Sequence, residues 1–252
     1  MLKKIVPDYN IVKLLAYVKA MLQLAGYVLQ EPSAKRRRVA AIILTVKPWY
    51  TMVNARRLIN LYDRVQDASA NNIPGAIVEC GSWNGGASAL MATAARDSGD
   101  VRQSWVFDSF EGVPPPTEDD GNAEHDIYFD GLNKGTPENV RAIYTKLGGD
   151  VNNLHIVKGW FADTLVDSDV EQIAVLHIDA DWYEPVCYVL ETFYERIVPG
   201  GYIIVDDYGY WDGATKALDD FAVKTFPEAT IEPIGSVAAV VRKPLMQPTP
   251  EN

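Results

Sequence analysis

Two pairs of aspartates follow strongly apolar segments in the second half of the chain. Asp179 and Asp181 follow one such segment, and Asp206 and Asp207 follow the next. Buried strands do not end in paired acids for packing reasons, because neighbouring carboxylates repel one another and lose hydration unless a cation is present. Oxygen ligands suit Mg²⁺ or another oxygen-preferring divalent cation. We therefore expect a metal site formed by Asp179, Asp206 and Asp207; solvated strand ends or helix caps are the alternative.

A glycine-rich turn between a predicted strand and a predicted helix is the second candidate site. Glu79 stands two residues before Gly81, and Gly85 and Gly86 lead into the helix. The dinucleotide fingerprint Gly-x-Gly-x-x-Gly is not matched. An acidic residue two positions before the first glycine is typical of S-adenosylmethionine sites, where it acts on the methionine ammonium group directly or through water. The helix N-terminus adds backbone amides that attract a ligand.

Further candidate residues follow neighbouring predicted strands. Asp108 stands at a strand end, where it can accept hydrogen bonds from ribose hydroxyls, although a local turn would also explain it. Trp160 and Phe161 follow the third strand and indicate an aromatic wall for adenine, with core packing as the alternative. Strand alternation puts His177 on the same side as Asp179, and we expect a structural histidine there.

The chain alternates short apolar runs with helical periodicity, which predicts an α/β protein with a mostly parallel central sheet. Helices are predicted over residues 9–29, 50–70, 87–96, 136–147 and 185–197. Strands are predicted over residues 76–80, 104–108, 154–158, 173–179 and 201–206, and a C-terminal antiparallel hairpin over 229–234 and 238–242. We expect an N-terminal helical extension over 1–70 serving as a lid or dimerisation element, a core over 71–243 and a flexible tail over 244–252.

A long segment over residues 112–135 interrupts this alternation with prolines, acids and aromatic side chains. Loops of this length in a compact domain are usually functional or disordered. We expect this segment, through Tyr128, Phe129 and the neighbouring acids, to cover the acceptor site.

Charge is distributed unevenly along the 252 residues. The net charge is −11, which argues against nucleic acid binding over the whole surface. Residues 1–50 nevertheless have nine basic and two acidic side chains. The basic run over 35–38 is expected to be a solvated connector, with contact to an anionic membrane surface or an acidic partner as the alternative.

Cysteine content and hydropathy indicate the compartment. Cys80 and Cys187 lie in apolar runs, so we expect no disulfide and a reducing, cytoplasmic location. We also expect no secretory signal and no transmembrane segment.

The motifs, taken in order, resemble the macrocin O-methyltransferase family over about residues 50–242. The matching blocks are Glu79-x-Gly81-x-x-Asn84-Gly85-Gly86-Ala87-Ser88, Phe107-Asp108-Ser109-Phe110-Glu111-Gly112-x-Pro114, Gly159-Trp160-Phe161, His177-Ile178-Asp179-Ala180-Asp181-x-Tyr183-Glu184, Pro199-Gly200-Gly201 and Val205-Asp206-Asp207-Tyr208. The resemblance implies the Rossmann-like class I methyltransferase fold. It also implies S-adenosylmethionine as cofactor and Mg²⁺-dependent methyl transfer to a sugar hydroxyl, often on the deoxysugar of an antibiotic.

The same resemblance implies a set of functional residues. The expected cofactor-binding residues are Met52, Glu79, Gly81, Ser82, Asn84, Gly85, Ser88, Asp108, Ser109, Trp160, Phe161 and Asp179. Arg56 or Arg57 is expected to support the active site. Asp179 is expected to be both a metal ligand and the proton acceptor. The lysine that related catechol-type enzymes have after this aspartate is missing, which leaves Asp181 as a second candidate base.

Several alternatives stay open at this level. The chain could methylate a phenol or catechol, be an NAD-dependent oxidoreductase, or be a binding module without catalysis. The expected partners are a small glycosylated acceptor and further copies of the same chain, with no nucleic acid.

Overall fold

The computed structural model describes residues 9–227 and 230–245. Three helices precede the first strand: α1 (Tyr9–Gln30), α2 (Ala34–Val46) and α3 (Ala55–Ala70). Ser33 caps α2 and Asn54 caps α3, and each side chain accepts a hydrogen bond from a backbone N–H three residues later. Within the described residues, no helix has the length and apolarity needed to cross a membrane.

Strands and helices alternate through most of the remaining chain. The strands are β1 (Ala76–Cys80), β2 (Ser104–Asp108), β3 (Leu154–Lys158), β4 (Ile173–Ile178), β5 (Ile197–Asp206), β6 (Ile231–Pro233) and β7 (Ala238–Arg242). The helices are α4 (Gly86–Asp97), α5 (Asn122–Ile127), α6 (Pro137–Lys146), α7 (Phe161–Thr164), α8 (Tyr183–Phe193) and α9 (Asp212–Thr225).

The seven strands form one sheet in the order β3-β2-β1-β4-β5-β7-β6. Strands β1 to β5 pair in parallel, whereas β7 pairs antiparallel with both β5 and β6. The predicted α/β fold with a C-terminal antiparallel hairpin is confirmed. Strand order reverses between β1 and β4, and open α/β sheets bind ligands outside the carboxyl ends of strands at such a point.

Apolar side chains cover both faces of the sheet. One core includes buried residues from α2, α3, α4 and α6, and the other includes residues from α8 and α9. Strands β1 and β4 are buried along their whole length, which explains why they are apolar except for Glu79 and His177. Their carboxyl ends are thereby held rigidly at one edge of the sheet. The predicted boundaries of the N-terminal extension, the core and the tail, after residues 70 and 243, stay predictions.

The prediction was wrong about several elements. The basic run is the first turn of α2 rather than a connector, and α9 was not predicted. Helix α3 begins at Ala55 instead of residue 50, because residues 47–54 form a turn before the Asn54 cap. Strand β5 begins four residues earlier than predicted, since its Pro199-Gly200-Gly201 segment continues in the strand instead of forming a turn.

The predicted hairpin and tail extend beyond the described residues. Residues 1–8, 228–229 and 246–252 are not described, so the start of the predicted hairpin at residue 229 and most of the predicted tail lie outside the structure. The described part of the hairpin is β6 and β7.

Candidate active site

A cavity of about 470 Å³ opens at the carboxyl ends of β1, β2, β4 and β5, within the size range of small-molecule sites. Most of the expected functional residues line it together: Met52, Glu79, Gly81, Ser82, Asp108, Ser109, Trp160, Phe161, Asp179, Asp181, Asp206 and Asp207. Residues from distant parts of the sequence thus share one cavity. Trp160 is 43% exposed, which disfavours core packing as its role.

Asp108 organises the glycine-rich turn. Its Oδ2 accepts hydrogen bonds from the backbone N–H groups of Ser82 at 2.7 Å and Trp83 at 2.8 Å, and its Oδ1 accepts one from Phe110 at 2.7 Å. Burial raises the pKa of Asp108, and these backbone donors oppose that rise. Asp108 therefore fixes the turn as well as lining the cavity.

Gly81 cannot be replaced by a larger residue without moving β4. Its φ is +84°, and a Cβ atom there would lie 2.0 Å from the carbonyl oxygen of Asp179. The absence of a side chain lets the turn after β1 lie directly against the end of β4.

Three expected cofactor residues, Asn84, Gly85 and Ser88, do not line the cavity. The Asn84 side chain donates to the carbonyl of Trp49 at 3.2 Å and accepts from Asn139 at 2.9 Å. A Cβ on Gly85 would meet Val140, and the Ser88 hydroxyl donates to Glu79. In this structure these residues hold the turn in place.

Both carboxylate oxygens of Glu79 have partners inside the protein. One carboxylate oxygen accepts from the backbone N–H and the hydroxyl of Ser88, and the other lies 2.9 Å from Nδ1 of His177. Glu79 is 1% exposed. It therefore connects the start of α4 to β4.

Four carboxylates meet above β4 and β5. Asp206 is buried at the end of β5, and Asp179, Asp181 and Asp207 are partly exposed on the cavity wall. Asp181 and Asp207 have φ values of 59° and 61°, a left-handed conformation that costs energy for non-glycine residues and is concentrated at functional sites.

Arg57 on α3 partly neutralises this cluster. Its Nη1 lies 2.5 Å from Asp206 Oδ2 and 3.1 Å from Asp207 Oδ1. Arg56 is exposed, so of the two arginines considered from the sequence the structure places Arg57 at the site.

Burial and mutual repulsion change the acidity of the cluster. Burial, followed by the charge of Asp207, raises the pKa of Asp179 to about 6. Burial and the charges of Asp207 and Asp179 raise the pKa of Asp181 well above its usual range. The pKa of Asp206 is also well above its usual range because of burial and Asp179, although Arg57 opposes this rise.

The donor set fits a divalent cation. One ligand atom each from His177, Asp179 and Asp206 lie within 4.8 Å of one another. Asp206 Oδ1 and His177 Nε2 are buried and have no hydrogen-bond partner among the described residues. Asp207 is not one of these three residues, although it also lines the cavity and, like Asp206, contacts Arg57. The expected set of Asp179, Asp206 and Asp207 therefore stays a prediction.

Sequence reasoning missed Lys47. This lysine is 6% exposed and donates hydrogen bonds to the carbonyls of Met52 and Val53 at 3.0 and 3.1 Å. Burial, and then the charge of Arg57, lowers its pKa to about 8. Lys47 follows the apolar end of α2, and only the tertiary structure shows that its ammonium group supports the turn that carries Met52.

The cavity wall also contains Asn133, Trp182 and Trp211, which were not predicted. Trp182 is buried, and its indole N–H donates to the carbonyl of Pro114 at 2.7 Å. This contact links the start of the segment over residues 112–135, called the covering segment below, to the end of β4.

The covering segment lines the cavity through residues other than those expected. Val113, Ile127, Leu132 and Asn133 line it, whereas Tyr128 and Phe129 do not. The buried acids of the segment face neighbouring helices: Asp120 accepts from the backbone N–H of Tyr183, and Glu124 accepts from that of Asp212. His125, also in this segment, has its Nε2 atom 2.9 Å from the carbonyl oxygen of Thr117.

Three of the four residues in the basic run pair with acids of the same chain. Lys35 lies 2.9 Å from Asp63, Arg36 lies 2.8 Å from Glu31 and Arg38 lies 3.1 Å from Asp97. These pairs reduce the charge that this run presents to another surface.

Comparison with known proteins gives consistent matches. A model of the family described as macrocin O-methyltransferase (TylF) matches residues 3–243. The 8-demethyl-8-(2,3-dimethoxy-alpha-L-rhamnosyl)-tetracenomycin-C 4'-O-methyltransferase of Streptomyces olivaceus is 36% identical over 176 residues, covering 68% of this chain and 67% of that protein. The demethyldecarbamoylnovobiocin O-methyltransferase of Streptomyces niveus is 35% identical over 180 residues, covering 69% and 68%.

Solved structures show the same architecture. The O-methyltransferase NovP superposes with a TM-score of 0.72 at 29% identity, covering 92% of this chain and 99% of that one. The calicheamicin methyltransferase CalS11 has a TM-score of 0.60 at 19% identity, covering 89% and 91%. The second of these similarities concerns the fold alone.

Proposed function

Because this chain belongs to the macrocin O-methyltransferase family and is therefore an S-adenosylmethionine-dependent O-methyltransferase, we propose that it methylates a sugar hydroxyl of a glycosylated natural product with the help of a divalent cation. The NAD-dependent oxidoreductase and the non-catalytic binding module are wrong as alternatives. The rhamnosyl group in the name of the Streptomyces olivaceus relative supports a deoxysugar acceptor.

The observation that carries this proposal is the position of the acids relative to the glycine-rich turn. Asp179, Asp181 and Asp206 line the same cavity as Gly81 and Asp108. A cofactor held by the turn would therefore present its reactive group toward carboxylates that can bind a cation and accept a proton. The aromatic residues Trp160 and Phe161 line the same cavity as Asp108 and would flank the adenine ring.

Asp179 and Asp206, with Asp207 as the further expected carboxylate, would hold the cation, expected to be Mg²⁺. When bound, the cation supplies positive charge that lowers the pKa of a sugar hydroxyl and fixes its position. In the transfer, the hydroxyl oxygen forms a bond to the methyl carbon, the bond from that carbon to sulfur breaks, and the sulfur keeps the electron pair. In-line placement of the two reactants contributes much of the acceleration.

Asp179 suits the role of proton acceptor better than Asp181. A general base works best when its pKa lies near the operating pH, and the pKa of Asp179 is raised to about 6. Burial and the charges of Asp207 and Asp179 raise the pKa of Asp181 well above its usual range, and Asp181 remains the second candidate base.

The test uses two variants and two measurements. We expect Asp179→Asn and Asp206→Asn to abolish methyl transfer, because each removes a carboxylate from the cluster, while S-adenosylmethionine binding measured by calorimetry stays within a few-fold of wild type. Asp219→Asn, on the outer part of α9, is the matched control and should keep full activity. Full activity of the two site variants in EDTA would contradict the metal-dependent mechanism.

The expected homo-oligomer is proposed to form through α1. The apolar residues Ile11, Leu14, Leu15, Val18 and Leu22 fall on one face of this helix by its 3.6-residue period, and each is between 43% and 71% exposed. The opposite face contributes Ala20 and Leu24 to the interior. Exposed apolar stripes of this kind mark interaction surfaces, and a second copy of the chain can cover the stripe with its own.

A further inference from the structure

Helices α8 and α9 both begin at the cavity wall without a cap of their own. Trp182 precedes α8 and Trp211 precedes α9, and among the described residues neither position provides a side-chain cap. Both indoles line the cavity, and their rings meet edge to face with centroids 5.8 Å apart. The first N–H groups of a helix need hydrogen-bond partners, so these two helices must obtain them from another part of the chain.

The covering segment supplies those partners. Asp120 accepts a hydrogen bond from the N–H of Tyr183, the first residue of α8, at 2.8 Å. Glu124 accepts from the N–H groups of Asp212 and Gly213, in the first turn of α9, at 2.8 and 3.3 Å. The two acids are 8% and 1% exposed, and negative charge is favourable at the start of a helix. One short stretch of chain therefore holds the starts of both helices.

A glycine in α9 makes room for Asp120. A Cβ atom on Gly213 would lie 2.0 Å from Oδ1 of Asp120, although alanine is ordinarily the better helix former. The other oxygen of Asp120, Oδ2, accepts from the N–H of Thr117 at 2.8 Å, so the carboxylate cannot turn away without losing a hydrogen bond. Asp120 therefore caps α8 while it lies against the first turn of α9.

We propose that Asp120 and Glu124, together called the acid clasp, are positioning residues for the acceptor. By capping α8 and α9 from one segment, the acid clasp fixes the separation of Trp182 and Trp211 on the cavity wall, where indole rings can pack on the apolar face of a sugar. Among the described residues that line the cavity, neither acid is present, so the acid clasp acts through the tryptophans. Its loss should weaken acceptor binding and spare the cofactor. This inference rests on the proposed methyl transfer to a sugar.

Two substitutions open the acid clasp by different routes. Asp120→Ala removes the carboxylate, whereas Gly213→Ala keeps it and places a Cβ atom where its oxygen lies. With p-nitrophenyl α-L-rhamnoside as the acceptor, each should raise the acceptor KM by about tenfold, which corresponds to the loss of one hydrogen bond to a charged group. The change in kcat should be smaller, and S-adenosylmethionine affinity should stay within a few-fold of wild type. Asp120→Asn keeps an oxygen that can accept from Tyr183 and should lie between Asp120→Ala and wild type.

Asp119→Ala is the matched control and should have the wild-type KM. Asp119 is the neighbouring aspartate, and its side chain, 41% exposed, pairs with Lys216 at 3.3 Å instead of with the start of a helix. A KM equal to that of the control in both Asp120→Ala and Gly213→Ala overturns the proposal. An equal loss of acceptor and S-adenosylmethionine binding also overturns it, because that result indicates a general loss of structure.

The wild-type protein provides a test that does not depend on whether the variants fold. Hydrogen exchange followed by NMR should show protected N–H groups at Tyr183 and Asp212, although N–H groups in the first turn of a helix have no partner within the helix. Rapid exchange at both overturns the acid clasp. Because coupling is reciprocal, a concentration of the rhamnoside that saturates methyl transfer should slow exchange further at both positions, and unchanged exchange overturns the positioning role. Protection at both positions without methyl transfer to any sugar supports the acid clasp and contradicts the proposed function.

Discussion

Arg57 links the N-terminal helices to the acid cluster. It is the basic side chain seen in contact with both Asp206 and Asp207, and it comes from α3 rather than from the sheet. Removing one member of a buried charge pair leaves the other charge uncompensated, which costs more than the pair contributes. Arg57 is therefore a positioning residue for the carboxylates.

Replacement of Arg57 tests this role. Arg57→Gln should lower the free energy of unfolding by about 3 kcal/mol and lower kcat/KM for methyl transfer by about tenfold or more, with Arg57→Lys between this variant and wild type. Arg56→Gln, one residue earlier and exposed, should behave as wild type in urea unfolding and in the assay. Equal behaviour of the two glutamine variants contradicts the role of Arg57.

Lys47 gives the stability a defined pH dependence. Its pKa is about 8 in the folded chain against an ordinary value of 10.5, so between these values the unfolded chain binds more protons. Stability therefore rises with pH across this window, and below pH 8 the burial penalty is fully present. The contribution is on the order of 3 kcal/mol.

Urea unfolding of wild type and Lys47→Met from pH 7.5 to 10 measures this contribution. The difference in the free energy of unfolding between the two should change in favour of wild type as the pH rises. Parallel curves across the window are incompatible with a depressed Lys47 pKa.

The sequence was sufficient to identify the acidic residues that line the candidate site. Asp108, Asp179 and Asp206 follow apolar strands, and parallel strands bring their carboxyl ends together. The partners of these acids could not be predicted, because Arg57 and Lys47 reach the site only through the packing of α2 and α3 on the sheet. For the same reason the sequence did not show that Glu79 faces His177.

At the level of elements, the covering segment is fixed by its own acids. Glu124 of α5 is 1% exposed and accepts hydrogen bonds from the backbone N–H groups of Asp212 and Gly213 at 2.8 and 3.3 Å. These are free donors at the start of α9, so Glu124 caps that helix from a distant part of the chain. The cap connects the covering segment to Trp211 on the cavity wall.

Loss of this cap should affect stability and acceptor binding together. Glu124→Ala should lower the free energy of unfolding by about 1–3 kcal/mol and raise the KM for the acceptor more than it lowers kcat. Glu118→Ala, in the exposed part of the same segment, is the control for both measurements. An unchanged acceptor KM in Glu124→Ala would show that the segment does not shape the acceptor site.

Helix α1 was predicted correctly as an amphipathic helix, but its apolar stripe faces outward. Periodicity reports which side chains share a face, and it cannot tell whether that face packs on the same chain or on another one. Leu15 and Leu22 are 64% and 71% exposed, which is why we propose that the stripe forms a contact between copies.

Charged substitutions in the stripe test that contact. The double variant Leu15→Glu, Leu22→Glu should sediment as a monomer, while wild type sediments as an oligomer at the same concentration. Lys19→Glu, on the same helix, is the control for added negative charge and should keep the oligomer. A monomeric wild type, or binding of α1 to anionic vesicles instead of to a second copy, contradicts the assignment.

For the whole molecule, the distribution of charge has a structural explanation. Part of the net charge of −11 comes from the four aspartates of one cavity, where Arg57 offsets it and the proposed cation would offset it further. The basic run of α2 is largely paired within the chain, so its sequence overstated the charge available to a partner. The fold was predictable because the parallel strands are short, mostly apolar runs that alternate with helical periodicity. Helix α9 was missed because its acids and lysines obscure its apolar face.

The central claim is cation-dependent methyl transfer from S-adenosylmethionine to a sugar hydroxyl. The most direct measurement is mass spectrometry of a panel of glycosylated natural products and their aglycones, incubated with the protein and S-adenosylmethionine in the presence of Mg²⁺, Mn²⁺ or EDTA. We predict the mass of one added methyl group on a glycoside, located on the sugar by fragmentation, and its loss in EDTA. Methylation of an aglycone phenol, or equal transfer to the sugar in EDTA, would contradict the claim.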